Sequence, residues 1–498
     1  MDGHHAVMHE IELKFQVPRT RRAAVDAAVA GRDPAPRQRL QAAYFDTADR
    51  ALARAGMALR IRREGRHWVQ TLKAGGDDGL TRAEHNVPLA GEPAAADPQR
   101  HAGTPVGERL AQLLADAAPG PLACLFRTDI RRRSRQLRTR QGVVELAFDE
   151  GTISAGDRRW PVCELEIELV SGSPLAVIET GRRWVLRHGL WLDTRSKAER
   201  GDLLARGETM APVRKAQPVE LAPTMSTGQA LQCVLRACLD PISVNASQVA
   251  DGRCDPEHVH QLRVGLRRLR TALSLFEAEA AMPELAEHAS VLFRRLGAAR
   301  DRVAVAEPLE RDLQAALRSA GLDIDAPGLP ALDAESEPSV LLRLGPAQML
   351  LLDLLACTQS ALPPAADEPP LRKVLTRRLS RWDRTLRAGV RRLNELDDTA
   401  RHDLRKRAKR LRYGIEFAQR LFKGRDVRRM LKPLGKLQDR LGEVVDSAVA
   451  MQAYRDGANG DARVLFALGW LAARKQGLME QSGRVVKRYL ETKRAWKG

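Results

Sequence analysis

The chain has 498 residues and a formal net charge of +19, an excess that favours polyanionic partners such as nucleic acid, a phosphate polymer or an anionic membrane surface. Aromatic residues make up only 4% of it, which argues against stacking platforms for single-stranded nucleic acid. The six cysteines are scattered without a C-x-x-C pair, so neither a zinc site nor a disulfide framework is predicted.

The first ten residues lack the apolar core of a signal peptide. The most apolar stretch, 340–362, is interrupted by Arg343, Pro346 and Asp353. We interpret this stretch as a buried helix, because a membrane span needs a longer uncharged run. We therefore expect no membrane association and a cytoplasmic location.

Up to about residue 205 the sequence reads mostly as short β-strands, and from about residue 224 it reads as long helices. A proline-containing stretch between them is typical of a linker. We predict an α+β multidomain protein with a domain at 1–207, a linker at 208–223 and an all-α domain at 224–498. Strand patterns lie at 10–17, 58–63, 67–73, 127–133, 143–149 and 163–170, and helical patterns at 19–30 and 173–188.

The predicted strands carry charges of one sign on one face. Residues two apart along a strand share a face, so Glu164, Glu166 and Glu168 lie together, as do Arg60 and Arg62. Taken singly, each strand is consistent with a sheet whose polar face meets water. Taken together, such a face would mix charges, whereas like charges in a row repel unless an opposite charge neutralises them. A multivalent phosphate held by a divalent metal would neutralise both kinds of row.

Metal-dependent phosphate chemistry suits these residue types. Mg²⁺ and Mn²⁺ bind carboxylate and substrate oxygens together, and a second metal can activate a water. Arginine binds phosphate oxygens through two parallel hydrogen bonds, and lysine adds a point charge. A closed sheet of eight strands is just wide enough to hold one small ligand, so its lumen could contain all of these groups.

The opening Glu10-x-Glu12-x-Lys14 resembles the signature of the CYTH superfamily, the triphosphate tunnel metalloenzymes. The resemblance covers about residues 8–205 and implies an eight-stranded antiparallel β-barrel tunnel with flanking helices. It also implies metal-dependent hydrolysis of a triphosphate. Further matching motifs follow in the family's order: Tyr44-Phe45-Asp46-Thr47, Arg60-x-Arg62, Thr71-Leu72-Lys73, Asp149 with Gly151, the Glu164/Glu166/Glu168 strand, and Ser196-Lys197-Ala198-Glu199-Arg200-Gly201.

The resemblance implies roles by position. The catalytic set would be Glu10, Glu12, Lys14, Glu166 and Glu168. The metal, Mg²⁺ or Mn²⁺, would be held by Glu10, Glu12, Glu166 and Glu168 with Asp149 assisting. The substrate would be bound by Lys14, Arg60, Arg62, Lys73, Arg82, Lys197 and Arg200. Between Arg127 and Arg131, which share a face, we prefer Arg131 as a further phosphate ligand.

No signature acidic or basic position is missing, so we expect an active enzyme. Adenylyl cyclase and thiamine triphosphatase activities also occur in the superfamily. A cyclase needs a purine-reading pocket, for which the sequence carries no clear signal. We therefore favour inorganic triphosphate as the substrate. An organic triphosphate remains an alternative, and so does a polyphosphate-binding protein with little or no turnover.

The helical half contains a duplicated basic segment, 260–270 and 402–412, and each copy is followed by a second related piece. On a helix the charged residues of each copy share one face, beside a leucine stripe in the first copy. A basic helix face is often only solvated surface, but its repetition favours a binding groove. The residues of the two faces are His260, Arg263, Arg267 and Arg270, and His402, Arg405, Lys409 and Arg412.

This half, about 224–495, resembles the CHAD domain. The resemblance implies two pseudo-symmetric four-helix bundles with a basic groove that binds inorganic polyphosphate through these eight residues, and hence association with polyphosphate granules. Lys409 stands where the first copy has Arg267, which keeps the charge but loses the fork of donors. Nucleic-acid binding by this half would rest on charge alone, and the sequence argues against it.

Overall fold

The computed structural model describes residues 8–32, 36–76, 81–91, 93, 95–116, 121–278, 281–328, 337–359, 368–456 and 461–497, with the backbone alone at 8–9 and 298–308. The chain divides into two compact units that are not contiguous in sequence. The barrel unit comprises Met1–Arg214, Asp240–His258 and Leu342–Gln359. The helical unit comprises Lys215–Leu239, Val259–Leu341 and Ser360–Gly498. The predicted domain boundaries, in contrast, follow the sequence continuously and stay a prediction.

The N-terminal part of the barrel unit contains nine strands and five α-helices among its described residues. The strands are β1 (Met8–Gln16), β2 (Gln38–Asp46), β3 (Met57–Glu64), β4 (His67–Gly75), β5 (Thr81–Leu89), β6 (Ala123–Arg138), β7 (Gly142–Ala155), β8 (Arg158–Gly172) and β9 (Trp191–Leu192). The helices are α1 (Arg22–Ala30), α2 (Ala51–Arg54), α3 (Pro105–Asp116), α4 (Leu175–His188) and α5 (Lys197–Arg206).

Eight of these strands close into an antiparallel barrel. Their order is β5-β4-β3-β2-β6-β7-β8-β1, and β1 pairs back to β5. The short strand β9 pairs with β1. The predicted eight-stranded antiparallel barrel with flanking helices is therefore confirmed. Since β3 stands four strands from β8 in a ring of eight, the two strands face each other across the lumen.

Side-chain alternation assigns the two faces of β1. Leu13 and Phe15 are 4% and 0% exposed, and they lie directly under Gly181 of α4 on the outside of the barrel. Since neighbouring residues on a strand point to opposite faces, Glu12 and Lys14 point into the lumen. The apolar half of the alternation thus anchors α4, and the charged half lines the interior.

Helix α5 fills the apolar part of the interior. Its Leu203 and Leu204 pack with Tyr44, Phe126 and other buried residues of β2, β6, β7 and β8. Tyr44 and Phe126 stack with ring centroids 4.5 Å apart. A Cβ on Gly201 would lie 2.1 Å from Cε2 of Phe126, so only glycine lets α5 approach this closely. This packing places the N-terminal turn of α5 beside the charged part of the lumen.

The C-terminal half is helical, as predicted. Its helices are α6 (Thr227–Asp251), α7 (Pro256–Leu275), α8 (Pro283–Ser319), α9 (Pro338–Arg343), α10 (Gly345–Gln359), α11 (Leu371–Arg391), α12 (Asp398–Ala418), α13 (Gly424–Asp456) and α14 (Ala462–Glu491). The leucine stripe of α7 is buried, with Leu262, Leu266 and Leu269 at 0% exposure. None of the described helices is long and apolar enough to span a membrane. The division into two pseudo-symmetric four-helix bundles stays a prediction.

Gly201→Ala should destabilise the protein, because the added methyl group collides with the stacked Phe126 ring. Overpacking of this kind costs roughly 1–3 kcal/mol in the free energy of unfolding, measurable by chemical denaturation. Gly469→Ala in α14 is the matched control, since a Cβ there meets no atom within 4 Å and alanine favours helix. Equal losses in the free energy of unfolding of the two variants would contradict the close approach of α5 to Phe126.

Candidate active site

The strand register concentrates carboxylates on three adjoining strands, β1, β8 and β7. Glu12 of β1 lies opposite Glu168 of β8, and Asp149 of β7 lies opposite Glu164 of β8. Directly opposed residues have Cβ atoms about 5 Å apart and share a face. Since Glu12 points into the lumen, Glu168 and the other members of its row point there too.

Three of these acids form a compact cluster, the acidic triad Asp149, Glu164 and Glu166. One carboxylate oxygen of each lies within 4.8 Å of the others. Asp149 and Glu164 are 0% exposed. A convergent set of buried carboxylate oxygens is the donor type that Mg²⁺ and Mn²⁺ prefer. The triad therefore fits a divalent metal ion.

Helix α5 supplies cations to the triad. The Lys197 Nζ lies 2.6 Å from Oδ2 of Asp149 and 2.9 Å from Oε1 of Glu166, and it also contacts Glu164. Arg200, which is 1% exposed, donates a hydrogen bond to Glu164. The first two turns of α5 therefore hold positive charge against all three acids.

Strand β6 adds a third cation, Arg132. Its Nε and Nη2 donate to the two oxygens of Asp149 at 2.7 and 2.6 Å, and Nη2 also donates to Glu166. Burial alone would raise the pKa of Glu166, but Lys197 and Arg132 outweigh it and hold that pKa well below its usual range. Glu166 is therefore ionised at neutral pH.

Arg132, and not the predicted Arg131, points into the lumen. In the strand register Arg132 lies opposite Asp149 of β7, whereas Arg131 lies opposite Glu150 and is exposed on the outside of the barrel. Arg127, the alternative, shares the outer face of Arg131 and is also exposed. A step of one residue along a strand reverses the face, so we replace Arg131 by Arg132 in the proposed phosphate-binding set.

A second charge cluster surrounds Lys73 on β4. The Lys73 Nζ contacts Oε2 of Glu10 at 2.5 Å and Oε2 of Glu84 at 2.7 Å. Burial opposes ionisation of Glu84, but Lys73 and Arg60 outweigh it and lower its pKa to about 2. Burial raises the pKa of Glu10, and Glu12 adds to this while Lys73 opposes it. The sequence analysis did not include Glu84 in the site, although it lies on the same face as Arg82.

At Glu168, neighbouring acids outnumber neighbouring cations. Burial raises its pKa to about 7, and Glu10, Glu12 and Glu166 contribute in the same direction while Lys73 opposes them. The group is therefore partly protonated at neutral pH. A nearby divalent cation would lower this pKa.

The remaining cations of the predicted set lie on β1, β3 and β5. Lys14 contacts Glu12, and the Arg82 Nη1 lies 3.6 Å from Oε1 of Glu12. Arg60 is inside, opposite Tyr44, and its Nε is buried without a hydrogen-bond partner in the described structure. Burial lowers the pKa of Arg62, and the neighbouring Arg60 adds to this. An arginine pair with an unused buried donor is suited to bind an anion.

The structure therefore brings every predicted barrel residue except Arg131 to the lumen. It also adds three that the sequence analysis did not assign: Glu164, Arg132 and Glu84. Glu164 shares the face of Glu166, so the alternation alone contained the signal for it. Arg132 had no such signal, because residues 131–133 are all arginine.

In the helical unit, the basic face of α7 surrounds one aromatic ring. The guanidinium carbons of Arg263, Arg267 and Arg270 lie 5.3, 5.9 and 5.1 Å from the ring centre of Phe293. Burial lowers the pKa of Arg270, and the charges of Arg294 and Arg267 add to this. Like charges thus repel within this face, which favours an anion there.

Helices α7 and α12 contact each other beside their basic faces. Glu416 of α12 accepts from Arg268 of α7 at 2.7 Å and from Arg412 at 2.9 Å. The Arg267 guanidinium also lies 5.8 Å from the ring centre of Tyr413. Within α12 and α13, Arg405 pairs with Asp446 at 2.9 Å, while His402 and Lys409 are half-buried, as is His260 of α7.

Metal affinity should depend on the Glu168 proton. A carboxylate ligand must be deprotonated, so with a pKa of about 7 protons compete at lower pH. We expect the affinity for Mn²⁺ to rise up to about tenfold per pH unit below pH 7 and to level off above it, as measured by calorimetry. Glu168→Gln should flatten this dependence, and an unchanged slope in that variant would contradict the assignment.

Comparisons with known proteins agree with this architecture. Residues 8–201 match the CYTH domain and residues 233–455 match the CHAD domain. An inorganic triphosphatase from Haemophilus influenzae is 32% identical over 164 residues, which are 32% of this chain and 44% of that protein. The match thus spans less than half the length of this relative.

Two solved structures are also similar. The CHAD domain from the plant Ricinus communis has 29% identity and a TM-score of 0.46, covering 58% of this chain and 99% of that one. A putative adenylyl cyclase from Hippeastrum with a dominant triphosphatase activity has 20% identity and a TM-score of 0.29, covering 40% of this chain and 97% of that one. On the family matches, the chain combines an N-terminal CYTH domain with a C-terminal CHAD domain.

Proposed function

We propose that the barrel hydrolyses inorganic triphosphate to diphosphate and phosphate with the help of Mg²⁺ or Mn²⁺. The observation that carries this proposal is the division of charge inside the lumen. Carboxylates line β1, β7 and β8, whereas Arg60 and Arg62 lie on β3, the strand that faces β8 across the ring. A linear polyanion with its metal ion would neutralise both sides at once.

The acidic triad is the proposed metal site, with Glu10, Glu12 and Glu168 as further candidate ligands. A divalent metal there would supply positive charge to the phosphate oxygens and to an attacking water. Phosphoryl transfer needs such positioning and charge stabilisation more than covalent help. The chain's own contribution is to hold the phosphates, with Arg60, Arg62 and Arg132 as forked donors.

The remaining cations and one acid complete the proposed chemistry. Lys14, Lys73, Arg82, Lys197 and Arg200 add positive charge along the lumen. In the reaction, water adds to the terminal phosphorus, the bridging P–O bond breaks, and diphosphate leaves with the bond electrons. Glu168 in its ionised form is suited to accept the proton of the water.

The relative from Haemophilus influenzae supports inorganic triphosphate as the substrate, because that protein is named an inorganic triphosphatase. The match covers 44% of that protein, so the activity of the whole chain is part of the proposal. An organic triphosphate would also present three phosphates to the lumen. Turnover measurements distinguish hydrolysis of inorganic triphosphate, hydrolysis of an organic triphosphate, and binding of polyphosphate without turnover.

The proposed activity predicts metal-dependent phosphate release from inorganic triphosphate that EDTA abolishes. Glu166→Gln removes a charge that the acidic triad needs, so kcat should fall by about 100-fold or more. Glu179→Gln is the matched control, since Glu179 lies on α4 outside the barrel and is 40% exposed. Folded protein that releases no phosphate with either metal would overturn the proposal. Faster turnover of an organic triphosphate would replace the substrate.

The choice of Arg132 over Arg131 on β6 predicts that substitutions of these two arginines have different effects on KM. Arg132→Ala should raise KM for triphosphate about tenfold or more, because a hydrogen bond to a charged group contributes roughly 1.5–3 kcal/mol. Arg131→Ala should leave KM unchanged, since that side chain is exposed outside the barrel. Steady-state kinetics of the two variants measures this. A larger effect at Arg131 would restore the choice made from the sequence.

We also propose that the helical unit binds inorganic polyphosphate. The supporting observation is that α7 and α12 contact each other beside their basic faces, with Arg267 near Tyr413 and with Arg268 and Arg412 both bonded to Glu416. Many weak contacts along a phosphate chain would give salt-dependent affinity. Tethering to the barrel would raise the local concentration of phosphate chains. On this proposal the chain would lie in the cytoplasm at polyphosphate granules.

Polyphosphate binding predicts a specific salt response. Arg267→Ala should weaken binding and reduce the slope of log affinity against log salt by about one. Arg392→Ala, which removes a 69% exposed arginine at the end of α11, should change neither. Titrations with long-chain polyphosphate at several salt concentrations measure this. Equal competition by DNA at fixed salt would contradict a phosphate-chain groove.

A further inference from the structure

The cations of α5 are positioned by the short segment that precedes the helix, residues 192–196. Ser196 caps α5, and its side chain and that of Glu199 satisfy each other's backbone N–H groups. Lys197 is the first residue of the helix. The place of Lys197 and Arg200 in the lumen therefore depends on where this segment is held.

A buried ion pair within the segment is bonded to Gln16 of β1. Asp193 and Arg195 are 1% and 4% exposed and are joined by Nε–Oδ1 and Nη2–Oδ2 contacts of 2.9 and 2.8 Å. Asp193 also accepts from Nε2 of Gln16 at 3.0 Å. The same Gln16 nitrogen lies 3.4 Å from Oε2 of Glu164. This chain of contacts links the segment to the acidic triad.

Helix α6 holds the segment on its outer side. The Ser247 Oγ accepts from the backbone N–H of Thr194 at 3.0 Å. The Gln248 Oε1 accepts from Nη1 of Arg195 at 3.1 Å. Ser247 and Gln248 are both 0% exposed. All of these residues belong to the barrel unit.

Helix α10 provides a further contact with the segment. The Gln348 Oε1 accepts from the backbone N–H of Leu192 at 2.7 Å, and its Nε2 donates to the carbonyl of Leu342 at 2.6 Å. Gln348 is 1% exposed. A buried amide is costly unless its donors and acceptors are paired. One of these two bonds is made with the segment that precedes α5.

We infer that Gln248, Ser247 and Gln348 are positioning residues for the proposed active site. They hold residues 192–196 so that Lys197 and Arg200 face the acidic triad. All three lie within residues 233–455, the range that matches the CHAD domain. The phosphate-binding end of the tunnel thus depends on side chains from the C-terminal half of the chain. This inference rests on the proposed function for its meaning, but its test does not need turnover.

The test compares triphosphate affinity in the full chain, by calorimetry in EDTA so that no metal-dependent turnover occurs. Gln248→Leu removes the acceptor of Arg195, and we expect the Kd for triphosphate to rise about 10- to 100-fold. Gln248→Glu keeps the oxygen that accepts from Arg195 but loses the amide that donates to the carbonyl of Arg253, so its Kd should rise by less than that of Gln248→Leu. Ser247→Ala should shift Kd in the same direction by less, and it decides the case if Gln248→Leu does not fold.

The matched control is Gln314→Leu in α8 of the helical unit. Gln314 bonds a loop backbone twice, to Ile324 at 2.9 Å and Ala326 at 2.7 Å, so its substitution removes side-chain hydrogen bonds without touching residues 192–196. Unchanged triphosphate affinity in folded Gln248→Leu and Ser247→Ala would overturn the inference. Equal weakening of triphosphate binding in Gln314→Leu would overturn it as well. Wild-type protein that binds triphosphate but releases no phosphate with metal would sink the proposed function, and the affinity comparison would still decide the positioning role.

Discussion

A closed antiparallel barrel turns one side of every strand away from bulk water, and here that side carries a row of carboxylates. An ionised carboxylate in a low-dielectric interior is strongly unfavourable unless a cation compensates it. The compensation is uneven along the lumen. Lys197 and Arg132 keep Glu166 ionised, whereas Glu168 has a pKa raised to about 7 by burial and neighbouring acids. The strands of the barrel, helix α5, and the helices α6 and α10 that hold the segment before α5 together place cations against these acids.

That requirement gives α5 a central place. Its leucines close the apolar part of the lumen, and its first turns deliver positive charge to the acidic triad. Gly201 permits the approach to Phe126, while Gln248 and Gln348 hold the preceding segment. Packing, backbone geometry and buried hydrogen bonds therefore converge on the position of Lys197. The compact barrel unit draws on two segments of the C-terminal half for this purpose.

Alternation is a local signal that survives in a single chain, and it predicted strands with charged faces, whereas the eight-stranded barrel was implied by the resemblance to the CYTH superfamily. The sequence predicted which face of β1, β3 and β8 is charged, but on β6 it favoured the face of Arg131, where both faces of the run 131–133 carry the same residue type. Only the register with Asp149 on β7 selects Arg132. Gln248 and Gln348 were not found at all, since their partners lie more than 50 residues away. A polar residue on a buried helix face gives no hint of such a partner.

On the proposed function, metal and triphosphate meet between the carboxylates of β1, β7 and β8 and the arginines of β3. A crystal structure of the chain with Mn²⁺ and imidotriphosphate, whose P–N–P links resist hydrolysis, would test it most directly through the anomalous signal of manganese. We expect manganese at the acidic triad of Asp149, Glu164 and Glu166, with the phosphates reaching toward Arg60 and Arg132. Manganese outside the barrel, or the ligand bound only at the helical unit, would contradict it.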